Sequence, residues 1–471
     1  MKSIAILSFL LLNIVLTRGS NDYSMTDFEN LSAKRSISLK NKIIRVENEV
    51  LIKSTKVDPL YSYRYILNKN ASQSLIHLSA KMSPENQEPI ELEIKKNSED
   101  ADYIYYDISL KDFPMNYEEE RTLVVKEDYF EKLQFYPKKI QIKDDQYALY
   151  KDSLNYLSAY QTNQQETVVT LPNEKTSLVK YTMSKSNKIK DKITYTFNKI
   201  VPAFKSEPLY IHYEYNEPFM VMNYAHKNYQ ISHWGNIAVS EDYQLANIGA
   251  LLEGEFGRVD YDDYGRYGGK TAMKYLVANL PIRSWGLWYR DEIGNVSTSH
   301  ASREWDDVKL VLYPRFPIMG GWKSNFDIGY NLPSKFHIKT NDKGSYVLNL
   351  TFGMPYDDIL AKNYSVKVAL PEGAEVTKVD LPVDGKYEIT YEKEYGCLDL
   401  LGRKSVVITM NNVYDIHKVN FQIYYNYSSW ALISKPVILC VYFFVIFAAL
   451  IIYFRADVSL DREEEKKEKS D

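Results

Sequence analysis

Nineteen residues from Pro436 to Phe454 carry no charge, and Arg455 follows at once. At about 1.5 Å of rise per residue, a helix of that length crosses a hydrocarbon core of about 30 Å. No other feature constrains the chain as tightly, because it places a long segment and a short tail on opposite sides of a membrane. Tyr427 and Trp430 stand where an interfacial aromatic belt falls. Five basic residues (Arg455, Arg462, Lys466, Lys467, Lys469) follow the run, whereas only Lys418 and Lys435 closely precede it. The positive-inside rule therefore puts the tail in the cytosol.

Lys2 and an apolar run from Ile4 to Leu16, closed by Thr17, Arg18 and Gly19, read as a secretory signal peptide cleaved after Gly19. The expected organisation is residues 1–19 as signal peptide, 20–230 and 231–434 as two lumenal β-rich domains, 435–454 as the transmembrane helix and 455–471 as a cytosolic tail. This is a single-pass type I arrangement. Lys467 and Lys469, fifth and third from the carboxyl end, resemble a dilysine signal for retrieval to the endoplasmic reticulum. Six Asn-x-Ser/Thr sites (Asn30, Asn70, Asn295, Asn349, Asn363 and Asn426) precede the apolar run and are candidate N-glycan acceptors.

Period-two alternation sets the fold class of the lumenal part. Tyr346, Leu348, Leu350 and Phe352 point one way, and Ser345, Asn349 and Thr351 the other. Phe336 and Ile338 alternate upstream, and Asn341-Asp342-Lys343-Gly344 is turn chemistry, so 335–353 reads as a hairpin. Val366, Val368 and Leu370, then Val406, Ile408 and Met410, then Val419, Phe421, Ile423 and Tyr425 repeat the pattern. Asn349 and Asn363 fall on the solvent side of their strands. The 41 tyrosines suit strands and half-buried faces. Helical signal is sparse: Thr271 is a candidate cap for a short helix ending near Pro281. The expectation is a mainly β protein with two tandem β-sandwich-like domains and one C-terminal transmembrane helix.

A faint internal echo supports two domains. Ile44, Val46, Glu49 and Ile52 match Ile237, Val239, Asp242 and Leu245 at a constant offset of 193. Val169-Thr170-Leu171-Pro172 matches Val368-Ala369-Leu370-Pro371 at an offset of 199. Duplication followed by divergence explains both, with a boundary after Glu217-Pro218 and before Ile231.

Chemistry-bearing motifs are scarce. A formal charge of −4, from 58 basic and 62 acidic residues, argues against nucleic-acid binding. The seven histidines are scattered and form no His-Glu-x-x-His zinc motif. No Gly-x-Ser-x-Gly elbow occurs. Tyr264–Thr271 reads YGRYGGKT but has Tyr264 where a phosphate loop needs its first glycine. The neighbouring Asp260, Asp262 and Asp263 read as a solvated loop tip. Cys440 lies in the apolar run, which leaves Cys397 alone on the lumenal side and excludes an internal lumenal disulfide. No catalytic, cofactor or metal site is expected.

Four stretches carry a resemblance. Ser232-His233-Trp234, Val296-Ser297-Thr298-Ser299-His300, Pro314-Arg315-Phe316-Pro317-Ile318-Met319-Gly320-Gly321-Trp322 and Leu370-Pro371-Glu372-Gly373-Ala374-Glu375 resemble the ribophorin I family in order and spacing. The family supplies the large single-span subunit of oligosaccharyltransferase, and the short tail here resembles the fungal type. The resemblance implies an accessory role in moving an oligosaccharide from dolichyl diphosphate to asparagine of nascent proteins in the endoplasmic reticulum. It implies as partners a multi-spanning catalytic subunit, other subunits including a small membrane subunit, and nascent polypeptide. The motif residues are then structural or interfacial, with Pro314, Pro317, Gly320 and Gly321 fixing backbone geometry and Trp322 as an anchor. The competing expectation is a free-standing type I lectin or cargo receptor.

Overall fold

The computed structural model describes residues 26–83, 89–184, 186–257, 259, 261, 269–341, 345–396, 399 and 401–456. The expected signal peptide, Asp260, Asp262, Asp263, Cys397, Lys467, Lys469 and nearly all of the tail lie outside these residues.

Alternating side chains fold into two compact units. One holds the chain up to Phe219 together with Ile248–Ala272 and Met319–Gly321; the other holds Met220–Asn247, Met273–Ile318 and the chain from Trp322 onward. The strand Met220–Ile231 belongs whole to the second unit, because Ala225, Tyr229 and Ile231 face one core in unbroken alternation. The division thus falls ahead of residue 231.

In the first unit an eight-stranded sheet is built from β1 (Phe28–Ser38), β2 (Ile44–Ser54), β3 (Leu75–Ser83), β4 (Ile90–Leu92), β5 (Glu120–Tyr129), β6 (Thr162–Thr170), β7 (Ser186–Ile189) and β8 (Lys192–Phe197). Its order is β7-β8-β6-β1-β2-β5-β3-β4, antiparallel except for the parallel pair β1/β6. Val50, Ile52, Leu123 and Val125 face a core shared with Tyr63, Tyr65 and Ile108 of a three-stranded sheet. A four-stranded sheet ordered Leu178–Tyr181, Pro208–Glu214, Tyr147–Ser153, Leu133–Phe135 completes the unit.

The second unit repeats this plan. Its large sheet contains β9 (Met220–Ile231), β10 (Asn236–Asn247), β11 (Trp285–Asp291), β12 (Gly294–Asn295), β13 (Lys323–Pro333), β14 (Leu360–Ala369), β15 (Tyr387–Glu394) and β16 (Arg403–Val413). The order β15-β16-β14-β9-β10-β13-β11-β12 is that of the first sheet with every label raised by eight, and β9/β14 is again the parallel pair. Its other two sheets match as well. Glu375–Asp380, Asn420–Asn426, Tyr346–Thr351 and Ile338–Thr340 form the four-stranded one, and Leu276–Pro281, Asp307–Leu312 and His300–Arg303 the three-stranded one. Registers agree too: Ile37 opposes Val169 in β1/β6, and Tyr229 opposes Val368 in β9/β14. A bulge between Asn30 and Ser32 has its counterpart between Met222 and Tyr224. The two units are duplicates.

Two sequence expectations need correction. Leu276–Pro281 is a strand, not the end of a helix begun at Thr271: Leu276, Ala278 and Leu280 are buried at a spacing of two, and Met273 bridges Ile318. The 335–353 hairpin pairs Ile338–Thr340 with Tyr346–Thr351, but Phe336 belongs to a 3₁₀ turn and is exposed.

The apolar run forms helix α1 (Ser429–Arg455), which starts before residue 435. Ser428 accepts from the Trp430 N–H and caps it. Lys435, on its second turn, pairs with the side chain of Asp399, which also accepts from Arg403 (2.8 Å) and the Gly396 N–H (2.6 Å). From Trp430 to Arg455 the helix is long and apolar enough to cross a membrane.

Each core contains a buried cation. Lys227 on β9 lies 3.0 Å from Glu241 on β10, and both side chains are almost fully enclosed. Burial pulls the Lys227 pKa down, but the Glu241 carboxylate outweighs it and holds the ammonium well above its ordinary value. Leaving one buried charge unpaired costs about 3–5 kcal/mol, whereas replacing both partners by apolar groups costs far less. Lys227→Met is therefore expected to lower stability by about 3–5 kcal/mol, and Lys227→Met with Glu241→Leu to recover most of it, read from urea midpoints of the solubilised chain.

Candidate functional site

Two of the four motif stretches converge on one surface of the second unit. Asp291, at the end of β11, accepts from the backbone N–H groups of Ile293 and Gly294, both at 3.0 Å. Arg315 docks on the same carboxylate at 2.5 Å and donates to the carbonyls of Gly294 and Asn295. Burial alone raises the Asp291 pKa, but Arg315 and the two N–H groups reverse this and hold it below the ordinary range. Thr298 donates to the Tyr313 carbonyl, which ties 296–300 to 314–322. Ser297, Thr298 and His300 are exposed, Ser299 is half-buried, and His300 opens the strand His300–Arg303. Phe316 meets Trp322 edge-on at 6.0 Å, and Phe316 is substantially exposed.

Pro314 and Pro317 flank Phe316, and Ile318 then exchanges two backbone hydrogen bonds with Met273. Gly320 itself belongs to the first unit and packs against backbone of that unit: a methyl group there would sit 1.7 Å from the Ala250 carbonyl oxygen. Gly321 has φ of +84°, a conformation that side chains resist.

The other two stretches lie elsewhere, close to the start of α1. Ser232 turns the chain between β9 and β10 and accepts from the Trp234 N–H, leaving Trp234 exposed. His233 stacks on Tyr427 at 4.5 Å and bonds the Tyr425 hydroxyl at 2.8 Å. Glu372 accepts from the Leu401 N–H at 2.5 Å, and the Cα of Gly373 faces Ala431 of α1. These residues brace the strand Asn420–Asn426 that leads into the helix.

The candidate glycan acceptors divide by burial. Asn30 is corrected: it faces the core of the first unit, where its Nδ2 donates to Ser158 (2.9 Å) and Thr162 (3.1 Å) and its Oδ1 accepts from Tyr63. No glycan fits there in the folded chain. Asn349 is half-buried, whereas Asn70, Asn295, Asn363 and Asn426 are exposed.

Sequence reasoning missed a polar row on the outer face of the second large sheet. Arg290, Asp327, Asp242, His226 and Ser365 stand opposite one another across β11, β13, β10, β9 and β14. Arg290 pairs with Asp327 at 2.8 Å, and His226 Nδ1 lies 2.6 Å from the Ser365 hydroxyl. Partial burial, and then the charge and hydrogen bond of Asp327, raise the Asp242 pKa. Asp242 was visible as an echo of Glu49, but only as a strand position; its pairing with Asp327 depends on the register. Among the described residues no group of three or more His, Cys, Asp or Glu could hold a metal ion. The first unit has a cleft of about 790 Å³ beside the edge strand Leu133–Phe135, lined by Phe135, Leu149, Lys151, Phe219 and Leu251.

Fold and surfaces together define a duplicated β-rich protein carried on one C-terminal helix able to span a membrane. Comparison with known proteins gives the family. The Ribophorin I family model matches residues 28–454, and the chain belongs to that family. It is 30% identical over 470 residues to dolichyl-diphosphooligosaccharide–protein glycosyltransferase subunit 1A of Arabidopsis thaliana, covering 98% of this chain and 75% of the relative. Subunit 1B of Oryza sativa subsp. japonica is 34% identical, with 74% and 73% covered. Subunit 1 of Caenorhabditis elegans is 31% identical, with 88% and 72% covered. An M1 zinc metallopeptidase from Deinococcus radiodurans aligns at a TM-score of only 0.27 and 7% identity, over 44% of this chain and 42% of its own, and bears on nothing here.

Two outcomes are expected. Gly320→Ala forces backbone apart and costs at least about 1–3 kcal/mol, measurable as a lower melting temperature of the solubilised chain. For Asp242, a folded-state pKa above the unfolded one means its contribution to stability is full below about pH 4 and fades as pH rises through the folded value. Asp242→Asn fixes the neutral form, so it should raise the melting temperature at pH 7, with the gain vanishing near pH 4. A loss at pH 7 would show that the ionised carboxylate is needed.

Proposed function

We propose that the chain is a non-catalytic subunit of the oligosaccharyltransferase complex, which transfers a preassembled oligosaccharide from dolichyl diphosphate to asparagine in Asn-x-Ser/Thr of nascent proteins. The observation that carries this reading is the family match across residues 28–454. The chain is held in the endoplasmic reticulum membrane by α1, with both β units in the lumen and the tail in the cytosol. Its partners are a multi-spanning catalytic subunit and further subunits, including a small membrane subunit.

Its role is to assemble the complex and to present nascent chains. Exposed aromatics at Trp234 and Trp305 suit contacts with other subunits. The cleft beside Leu133–Phe135 suits an extended peptide, because an edge strand offers unpaired backbone groups to a further strand. None of this requires the chain to act on a glycosyl bond itself.

Membranes solubilised in mild detergent test the reading. The chain should co-sediment with a multi-spanning glycosyltransferase subunit, and its depletion should leave secreted glycoproteins under-glycosylated. Sedimentation of the chain alone, with unchanged glycoprotein mobility after depletion, would sink it.

A further inference from the structure

The duplication supplies an internal control for surface chemistry, because equivalent positions can be compared on one backbone. On the outer face of the first large sheet, the row Lys81, Val124, Glu49, Lys34, Glu166 has four charged members whose signs alternate around the neutral Val124. Ion pairs Lys81–Glu91, Lys126–Glu47 and Arg45–Asp128 lie on the same face. That is the pattern of a sheet face turned to water. The equivalent face of the second unit keeps a charged row in Arg290, Asp327, Asp242 and His226 and differs in the rows on either side of it. Where the first unit has Thr122, Leu51, Ser32 and Gln164 side by side, the second has Asn325, Gln244, Tyr224 and Asn363. Where the first has Ser79, Lys126, Glu47 and Ser36, the second has Trp288, Gly329, Ser240 and Asn228. Lys126 and Glu47 give way to Gly329 and Ser240, Thr122 and Leu51 to the amides Asn325 and Gln244, and Ser32 and Ser79 to the aromatic rings of Tyr224 and Trp288.

Two details show what such a face suits. Trp288 lies flat on the sheet: a methyl group on Gly329 would be 2.1 Å from its indole ring, and the ring is 40% exposed. Tyr224, 42% exposed, is the direct cross-strand partner of Asn363. Amides and hydroxyls donate and accept without charge, and exposed rings give apolar platforms with polar edges. A sugar chain has the matching chemistry, with many hydroxyls around apolar C–H faces. Asn363-Tyr364-Ser365 is an acceptor triplet, and its asparagine is exposed on this very face. Sequon and aromatic neighbour occur together in the second unit, and both are missing at the equivalent Gln164 and Ser32 of the first.

We propose that Asn363 carries an N-linked oligosaccharide that lies across this face, its first sugar against Tyr224 and its outer sugars directed toward Trp288. The inference rests on the lumenal placement given above. In the modification, Asn363 Nδ2 forms a bond to C1 of the first sugar and gives up one proton. The C1–oxygen bond to a polyprenyl diphosphate donor breaks, and the diphosphate leaves with the electron pair. The remaining N–H can keep the bond that Nδ2 now makes to the Asn223 carbonyl at 3.3 Å. Covalent attachment holds the glycan at high effective concentration over the face, so weak individual contacts are enough to keep it there.

The test uses the full chain made in a eukaryotic secretory pathway and kept folded in detergent. Glycopeptide mass spectrometry reads occupancy at each acceptor, and timed digestion with a peptide N-glycosidase reads release from the native protein. Asn363 should be occupied, and its glycan released about tenfold more slowly than that of Asn295, as expected for one or two ring contacts. Tyr224→Ala, at an exposed position, should remove most of that difference while occupancy stays. An unmodified Asn363 beside occupied Asn70 or Asn295 overturns the proposal and leaves the lumenal topology standing. Equal release rates at Asn363 and Asn295 also overturn it. No occupancy at any acceptor overturns both the proposal and the topology.

Discussion

A positive charge sealed inside each β unit is the constraint on which the rest of the packing depends. In the first unit Arg35 on β1 donates to Asp152 at 2.9 Å and to the carbonyls of Ser153 and Asn155, and Lys132 meets the same carboxylate at 2.7 Å. In the second unit Lys227 occupies the matching place on β9 and pairs with Glu241, and it also donates to the Gly353 carbonyl. The cation was kept through duplication, but its counter-ion moved from the Tyr147–Ser153 strand to β10. Because side chains alternate across a strand, a slip of one residue in β1 or β9 would expel the cation and bury its neighbours. The pair therefore fixes register as well as charge balance.

Why such charges are buried at all follows from the tyrosines. Eleven of the twelve largest fully buried side chains are tyrosines, with Phe219 the exception. A buried phenol needs a hydrogen-bond partner. Tyr65 and Tyr129 donate to Glu127, Tyr150 to Asp152, and Tyr243 and Tyr330 to Glu241. Burial, and then these carboxylates, push the Tyr129 and Tyr243 pKa values well above ordinary, so the phenols stay protonated donors. A buried carboxylate in turn needs a cation. Phenol, carboxylate and cation form one chain of necessity in both units.

Much of this was legible in the sequence. Alternation located the strands from Tyr346 to Tyr425, and the echo between Ile44–Ile52 and Ile237–Leu245 identified β2 and β10 as counterparts. The helix expected from Thr271 failed because a lone cap residue is weak evidence beside the two-residue spacing of Leu276, Ala278 and Leu280. Asn30 misled because an acceptor triplet is local chemistry, whereas its burial depends on Ser158 and Thr162, far along the chain. Lys227 gave a signal that went unread: a charge at a core-facing position between Ala225 and Tyr229. The outer-face row of Asp242, Asp327 and His226 had no such signal, since its members are separated in sequence and meet only through sheet register.

Duplication then explains how one chain can serve as scaffold and still differ across its halves. The core of each unit is held by the same demands, so its cation, bulge and strand order changed little. The outer faces hold no such buried charge and could diverge more freely. Both kept a charged row, but the second carries Asn325, Asn363, Tyr224 and Trp288 where the first has Thr122, Gln164, Ser32 and Ser79. Near α1 the requirement differs again. His233 stacks on Tyr427 and meets Tyr425 edge-on, and Lys435 is tied to Asp399. A helix gripped in this way cannot turn freely relative to the unit that carries it. His233 sits in the Ser232–Trp234 turn that joins β9 to β10, so the residues leading into α1 rest on the two strands that hold Lys227 and Glu241.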